Sequence, residues 1–182
     1  EKSYQYQAQE KRKKDKKNFK SIGDYLSSID MVVNMSINDK NKVKRIAQLV
    51  NKTNQFNLTT KRYSESEIIG FMENHSVFGF ELFDKFGDFG LVAVVIIVNN
   101  DIDSFLVSCR ALGRRLEYKV LYLITKYMKS NLKASYTKTE KNSQVSNFYD
   151  KFSTSIDHDN DTVHYRLNRD SVINVDYIKE RK

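Results

Sequence analysis

Apolar residues recur along this chain with two periods, and the switches between them mark out a mixed α/β fold. Met31 to Met35 reads as a short first strand. After an Asn/Asp/Lys turn, Val43, Ile46, Ala47 and Val50 fall at i, i+3, i+4 and i+7, the spacing of a helix with one buried face, and Lys42 and Lys44 point away from it. Ser64-Glu65-Ser66-Glu67 has the form of a capping box, in which a serine hydroxyl and a glutamate carboxylate satisfy the free amides of a new helix, here one carrying Ile68, Phe71 and Met72. Phe78, Phe80 and Leu82 then alternate, Phe86 to Gly90 supplies a turn, and Leu91 to Val98 is a continuous apolar run, as expected of a strand buried mid-sheet.

Ile102 to Cys109 gives a further strand, followed by Gly113 and a helix with Leu116, Val120, Leu123, Ile124 and Tyr127 on one face. Leu132, Ala134 and Tyr136 alternate in another strand. Val145, Phe148, Tyr149 and Phe152 recur at helical spacing, and His164 to Leu167 reads as a closing strand. Residues 1–30 are polar and charged and read as a basic helical connector from a missing upstream domain, leaving 31–182 as the folded domain. The start at Glu1-Lys2-Ser3, without an initiator Met, fits a piece of a longer protein.

Charge changes this picture little. The net charge is +8, but residues 1–20 alone carry eight Lys/Arg against three acids, so a nucleic-acid role is not expected of the remaining chain. The apolar run from Leu91 is too short to span a membrane. A single cysteine, Cys109, excludes an internal disulfide framework and a multi-cysteine zinc site and fits a reducing, cytoplasmic compartment. His75, His158 and His164 lack metal-ligand spacing, so no metal is expected.

The chemistry concentrates at the junction of the Ile102 strand and the Leu116 helix. A glycine there lets backbone amides turn toward a ligand, and the helix start favours a phosphate, with Arg110, Arg114 and Arg115 adding charge. Cys109 closes the strand on the face of Phe105 and Val107, a placement that suits a nucleophile and equally a small buried hydrophobe. The stretch Thr53 to Tyr63 is too polar for core and suits either a hydroxylated, phosphorylated ligand or turn formation.

Arg110-Ala111-Leu112-Gly113-Arg114-Arg115 resembles the R-x-x-G-x-G/A pyrophosphate loop of the GNAT N-acetyltransferases, with Arg115 in place of the last small residue. Asn142-x-x-Val145-x-x-Phe148-Tyr149 resembles a later segment of the same enzymes, with Ser153-Thr154 where they carry Gly-Phe. The resemblance implies a GNAT-like α/β fold, a central mixed, largely antiparallel sheet flanked by helices. It also implies Tyr149 as the general acid that protonates a leaving thiolate. As core packing, Phe148 and Tyr149 serve equally well.

More specifically, Lys52-Thr53-Asn54-Gln55-Phe56-Asn57-Leu58-Thr59-Thr60-Lys61-Arg62-Tyr63, Phe86-Gly87-Asp88 and Ser108-Cys109-Arg110-Ala111-Leu112-Gly113-Arg114 together resemble the FkbH-like family, over about residues 25 to 152. That family joins a haloacid-dehalogenase-type phosphatase domain to a GNAT-like domain and loads a glyceryl group from 1,3-bisphosphoglycerate onto an acyl carrier protein, for methoxymalonyl-type polyketide extender units. The chain lacks a strand ending in D-x-D-x-T/V, so phosphatase activity is not expected of it. The resemblance implies Cys109 as the acyl-accepting thiol and places Thr53, Asn54, Gln55, Asn57, Thr59, Thr60 and Arg62 near the glyceryl group. Arg110, Gly113, Arg114, Arg115 and Asn142 would hold the carrier's phosphopantetheine, or coenzyme A. Two other readings remain open: an acetyl-coenzyme A-dependent N-acetyltransferase using Tyr149 without an acyl-cysteine, and a non-catalytic partner-binding module.

Overall fold

The computed structural model describes residues 2–181. Its elements run α1 (Lys2–Lys16), α2 (Ile22–Ser28), β1 (Met31–Ile37), α3 (Val43–Lys52), β2 (Phe56–Asn57), α4 (Glu65–Asn74), β3 (Ser76–Asp84), β4 (Gly87–Val98), β5 (Asp101–Val107), α5 (Leu116–Met128), β6 (Lys133–Thr137), β7 (Ser153–Asp159), β8 (Thr162–Leu167) and β9 (Ile178–Glu180).

The strands form one mixed sheet in the order β7-β8-β6-β5-β4-β3-β1-β9, with β2 added to β5. Among the described residues only β1–β9 and β5–β6 pair in parallel. The turns explain the hairpins: Asn99 and Asn100 both adopt positive φ between the paired Val98 and Asp101, a two-residue link that follows the twist of the strands and that asparagine tolerates.

The middle strands are covered on both faces. On one side α3 and α4 lay Val43, Ile46, Ala47, Val50, Ile68 and Met72 against Val77, Leu91, Val94, Ile96 and Leu106. Ser64 and Glu67 form the capping box that starts α4. On the other side α5 packs Leu116, Val120, Leu121, Leu123 and Ile124 over Val92, Val95, Phe105 and Tyr136. Burying side chains of this size is worth roughly 1.5–3 kcal/mol each, so the two layers hold the middle strands from both sides.

Residues 2–30 dock on this body. Tyr25, Leu26 and Ile29 from α2 and the residue after it belong to the α5-side core. Arg12 of α1 forms a two-pronged ion pair with Asp84, at 2.7 and 2.8 Å, and lies 3.8 Å from the centroid of the Phe89 ring.

Three readings of the sequence are corrected. The helix expected over Val145–Phe152 is a pair of 3-10 turns, Ser143–Val145 and Asp150–Phe152, because Ser146 and Asn147 between them offer competing hydrogen bonds and the backbone closures are i to i+3. The closing strand at His164–Leu167 starts at Thr162 and pairs with β7, an exposed strand without apolar alternation. The strand expected to end on Cys109 ends at Val107, and Cys109 opens a 3-10 turn to Ala111.

Candidate functional site

β5 and β6 pair only at Asp101–Lys133 and Ile102–Ala134, then part. Two diverging parallel strands leave backbone groups without partners, and a short piece of chain fills the opening. Phe56 and Asn57 pair with Val107 and Leu106, the Leu58 amide donates to Phe105 O at 3.0 Å, and the Thr137 amide donates to Leu58 O at 2.8 Å. The Thr/Asn-rich stretch is thus tied into the sheet on both sides.

This insertion sets the site. Cys109 is exposed, just beyond the end of β5, where the Ser108 amide donates to Val92 O at 2.7 Å. It lies in a cleft of about 600 Å³ walled by Arg45, Gln48 and Lys52 of α3 and by Thr53, Asn54 and Gln55. Two sequence strings more than fifty residues apart therefore meet at one thiol. Within the turn, the Ala111 and Leu112 amides donate to Ser108 O and Cys109 O, whereas those of Cys109 and Arg110 open the turn and have no partner inside it.

The rest of the Thr53–Arg62 group faces the protein. Asn57 is fully buried, donating to Thr53 O at 3.1 Å and accepting from the Thr60 amide at 2.9 Å. Thr59 Oγ1 donates to Asp103 O and Thr60 Oγ1 to Thr59 O. Arg62 donates to Val50 O, Thr53 O and Asn54 Oδ1, which braces the loop that carries Thr53 to Gln55.

The Arg110–Arg115 loop has the turn geometry expected of it, with Gly113 at φ +78° and Arg115 also left-handed as the N-cap of α5. Its arginines diverge. Arg110 donates to Gln5 Oε1 of α1 at 3.2 Å; Arg114 turns back onto Arg110 O and Leu112 O and lies over Phe89; Arg115 lies over Tyr118. Burial, then the neighbouring Arg12 charge, lowers the Arg114 pKa.

The first turn of α5 already holds a carboxylate. Glu117 lies in a small cleft of about 220 Å³ with Phe56, Tyr118, Gln144, Asn147 and Phe148. Burial pushes its carboxyl pKa up, while its own backbone N–H and the Arg115 and Lys151 charges pull it back. Glu117 Oε2 is buried without a hydrogen-bond partner. No pattern in the sequence marks this residue, because a glutamate in the first turn of a helix is ordinary.

Asn142 and Tyr149 lie apart from the Cys109 cleft. Asn142 is fully buried, and its amide is saturated: Nδ2 donates to Asn57 O at 3.0 Å and Thr137 O at 2.9 Å, and Oδ1 accepts from the Thr139 amide at 2.8 Å and Tyr136 Oη at 3.1 Å. It staples the inserted segment to β6. Tyr149 is 1% exposed, packed edge-on against Phe148 and tilted against Tyr165, with its hydroxyl unpartnered. Burial, with Asp101 and Tyr165 adding, raises its pKa well above the usual tyrosine value. That is unfavourable for a proton donor, whose pKa should lie near the working pH.

A second cleft of about 500 Å³ opens on the far side of the inserted segment, over the uncovered face of β6 and β8. There Asp103 accepts from Lys61 Nζ at 2.6 Å and Tyr63 Oη at 2.8 Å, and Ser135 Oγ lies 3.0 Å from His164 Nδ1. The Ser135–His164 pair comes from strand register and was not legible from spacing. Among the described residues no group of three or more His, Cys, Asp or Glu is placed to hold a metal ion, and no helix is long and apolar enough to cross a membrane.

No protein-family model and no curated protein matches the chain. Solved structures do. The ribosomal-protein-S18-alanine N-acetyltransferase from Escherichia coli is 11% identical with a TM-score of 0.52, covering 75% of this chain and 94% of that one. The IAA acetyltransferase from Bacillus cereus (12%, TM-score 0.43, 74% and 99% covered) and the PaiA N-acetyltransferase from Thermoplasma acidophilum in complex with coenzyme A (12%, 0.49, 74% and 98%) are also similar. At such identity the likeness concerns the fold, which is that of the GNAT acetyltransferases, a mixed sheet flanked by helices.

Proposed function

We propose that the chain is an acyltransferase that carries its acyl group on Cys109, taking a three-carbon glyceryl or phosphoglyceryl group from an acyl phosphate such as 1,3-bisphosphoglycerate and passing it to the phosphopantetheine thiol of an acyl carrier protein. The observation that carries this reading is the exposed thiol in one cleft with Thr53, Asn54 and Gln55. A thiol kept only for packing has no reason to sit in a polar cleft.

In the first step Cys109 gives its proton to solvent in the open cleft and attacks the acyl carbonyl as thiolate; a C–S bond forms, the C–O bond to phosphate breaks, and phosphate leaves with the electron pair. The Cys109 and Arg110 amides are the donors best placed for the developing oxyanion. Arg45 and Lys52 supply positive charge for the phosphate. In the second step the carrier's thiol attacks the thioester carbonyl, a new C–S bond forms, the C–S bond to Cys109 breaks, and the carrier thiol's proton passes by way of solvent to the departing Cys109 sulfur, which restores the starting thiol.

The groups that hold the anionic parts of the substrates differ from those expected from the sequence. Arg110 and Arg114 are engaged with α1 and with their own loop, and Glu117 occupies the start of α5, so the anionic parts of both substrates are assigned to the α3 side of the cleft. Direct transfer from coenzyme A by Tyr149 is disfavoured by the enclosure of its hydroxyl.

The test is intact-protein mass of the chain and of Cys109→Ser after exposure to 1,3-bisphosphoglycerate and phosphopantetheinylated carrier. A glyceryl-sized or phosphoglyceryl-sized adduct on the parent alone, moving to the carrier, is expected. Transfer by Cys109→Ser at the parent rate would sink the cysteine route.

A further inference from the structure

We infer that the outer face of α3 is the docking surface for an acidic protein partner, oriented so that a thiol-ended arm reaches the Cys109 cleft. This rests on the acyl-transfer reading and adds the place where the second substrate sits.

α3 reads Val-Lys-Arg-Ile-Ala-Gln-Leu-Val-Asn-Lys and contains no acidic residue. Lys44, Gln48 and Lys52 stand four apart, hence on one stripe, and all three are exposed. Just upstream, Lys40 is neutralised by Glu73 and Lys42 by Glu81 and Asp39. Lys44 and Lys52 have no ion-pair partner among the described residues. Two clefts of about 600 Å³ flank the helix and share Arg45, Gln48 and Lys52. One ends at Cys109; the other runs to Tyr63 and Glu65, the latter being the acid that lines it.

The other basic surfaces fit less well. α1 has more cations, but Arg12 is buried against Asp84 and Lys13 pairs with Glu10. The α5 loop has its arginines turned onto protein groups. Among the described residues, α3 joins two lysines without an ion-pair partner to a cleft that ends at the thiol. Charges on such a rim steer association and fix orientation more than they add contact energy.

The experiment measures binding of phosphopantetheinylated acyl carrier protein to the full chain by fluorescence anisotropy, for the parent, for Lys44→Glu/Lys52→Glu, and for Lys14→Glu/Lys17→Glu on the exposed side of the N-terminal segment. The last two change net charge equally, and thermal melts check that both are folded. At low ionic strength the α3 variant should bind about tenfold more weakly and the control within about twofold, and salt should weaken the parent. Equal loss in both variants, or in neither, overturns the inference, as does α3-dependent binding of a short RNA with none of the carrier. Cysteine acylation, read separately by mass, distinguishes the two claims. Specific docking without an adduct would defeat the acyl-cysteine reading alone, and an adduct with α3-independent docking would defeat this inference alone.

Discussion

Replacing Asn142 with alanine tests whether this residue holds the site together or holds a ligand. The substitution leaves three groups without their partner, the Asn57 and Thr137 carbonyls and the Thr139 amide, and leaves the Tyr136 hydroxyl with only its longer bond to Asn142 O at 3.4 Å. A buried polar group that loses its partner costs about 1–3 kcal/mol. Some of that is recovered if water enters the space left by the side chain. A net loss of about 4 kcal/mol follows, a large part of the roughly 5–15 kcal/mol that separates folded from unfolded domains. The damage is local in origin, since Asn57 belongs to the segment that fills the opening between β5 and β6 and leads back to Gln55 and Thr53. Asn142→Asp retains the acceptor, loses both donated bonds and points a negative charge at two carbonyls, so it should be no milder. Urea denaturation with matched m-values is the assay. A change under about 1 kcal/mol in Asn142→Ala, together with weaker substrate binding, would refute the staple and restore a ligand role.

Arg12→Ala removes one partner of a buried ion pair and should destabilise the chain by about 3 kcal/mol, the low end for such pairs because the Phe86 and Gly87 amides still donate to Asp84; a chemical melt unchanged within 0.5 kcal/mol, roughly the size of a surface effect, would contradict this. For Glu117 the sign follows from burial. A carboxyl whose folded pKa is raised is protonated more readily in the folded state, so stability falls as pH rises from the unfolded value through the folded one. Glu117→Gln should therefore stabilise at neutral pH, with the gain vanishing in acid below the unfolded carboxylate range; an equal gain at pH 3 and pH 7 in thermal melts would rule out a titration origin.

Much of the fold could be read from periodicity, because the elements with one buried face obey it. Val43, Ile46, Ala47 and Val50 are buried as their spacing requires, and the run from Leu91 is buried on both faces between α3 and α5. Where periodicity carries no information, the reading failed. Ser153 to Asp159 is an edge strand with little apolar content, and its pairing with β8 is the only reason it is extended. Val145, Phe148, Tyr149 and Phe152 are spaced as in a helix yet pack from short turns, since an aromatic cluster can be built by any backbone that brings the rings together.

The candidate site divides along the same line. Cys109 and Thr53–Gln55 were legible as unusual residues, but their meeting depends on a two-residue strand, Phe56–Asn57, that no propensity would nominate. That strand exists because β5 and β6 diverge and their open edges need hydrogen-bond partners. It also explains why so few polar residues of the Thr53–Arg62 string face the cleft. A segment inserted between two strands must satisfy its own backbone, and Asn57, Thr59, Thr60 and Arg62 are engaged in that. Only the three residues before the insertion are left beside the thiol, so specificity for the acyl group should be set by Thr53, Asn54 and Gln55 and by the α3 side chains opposite them.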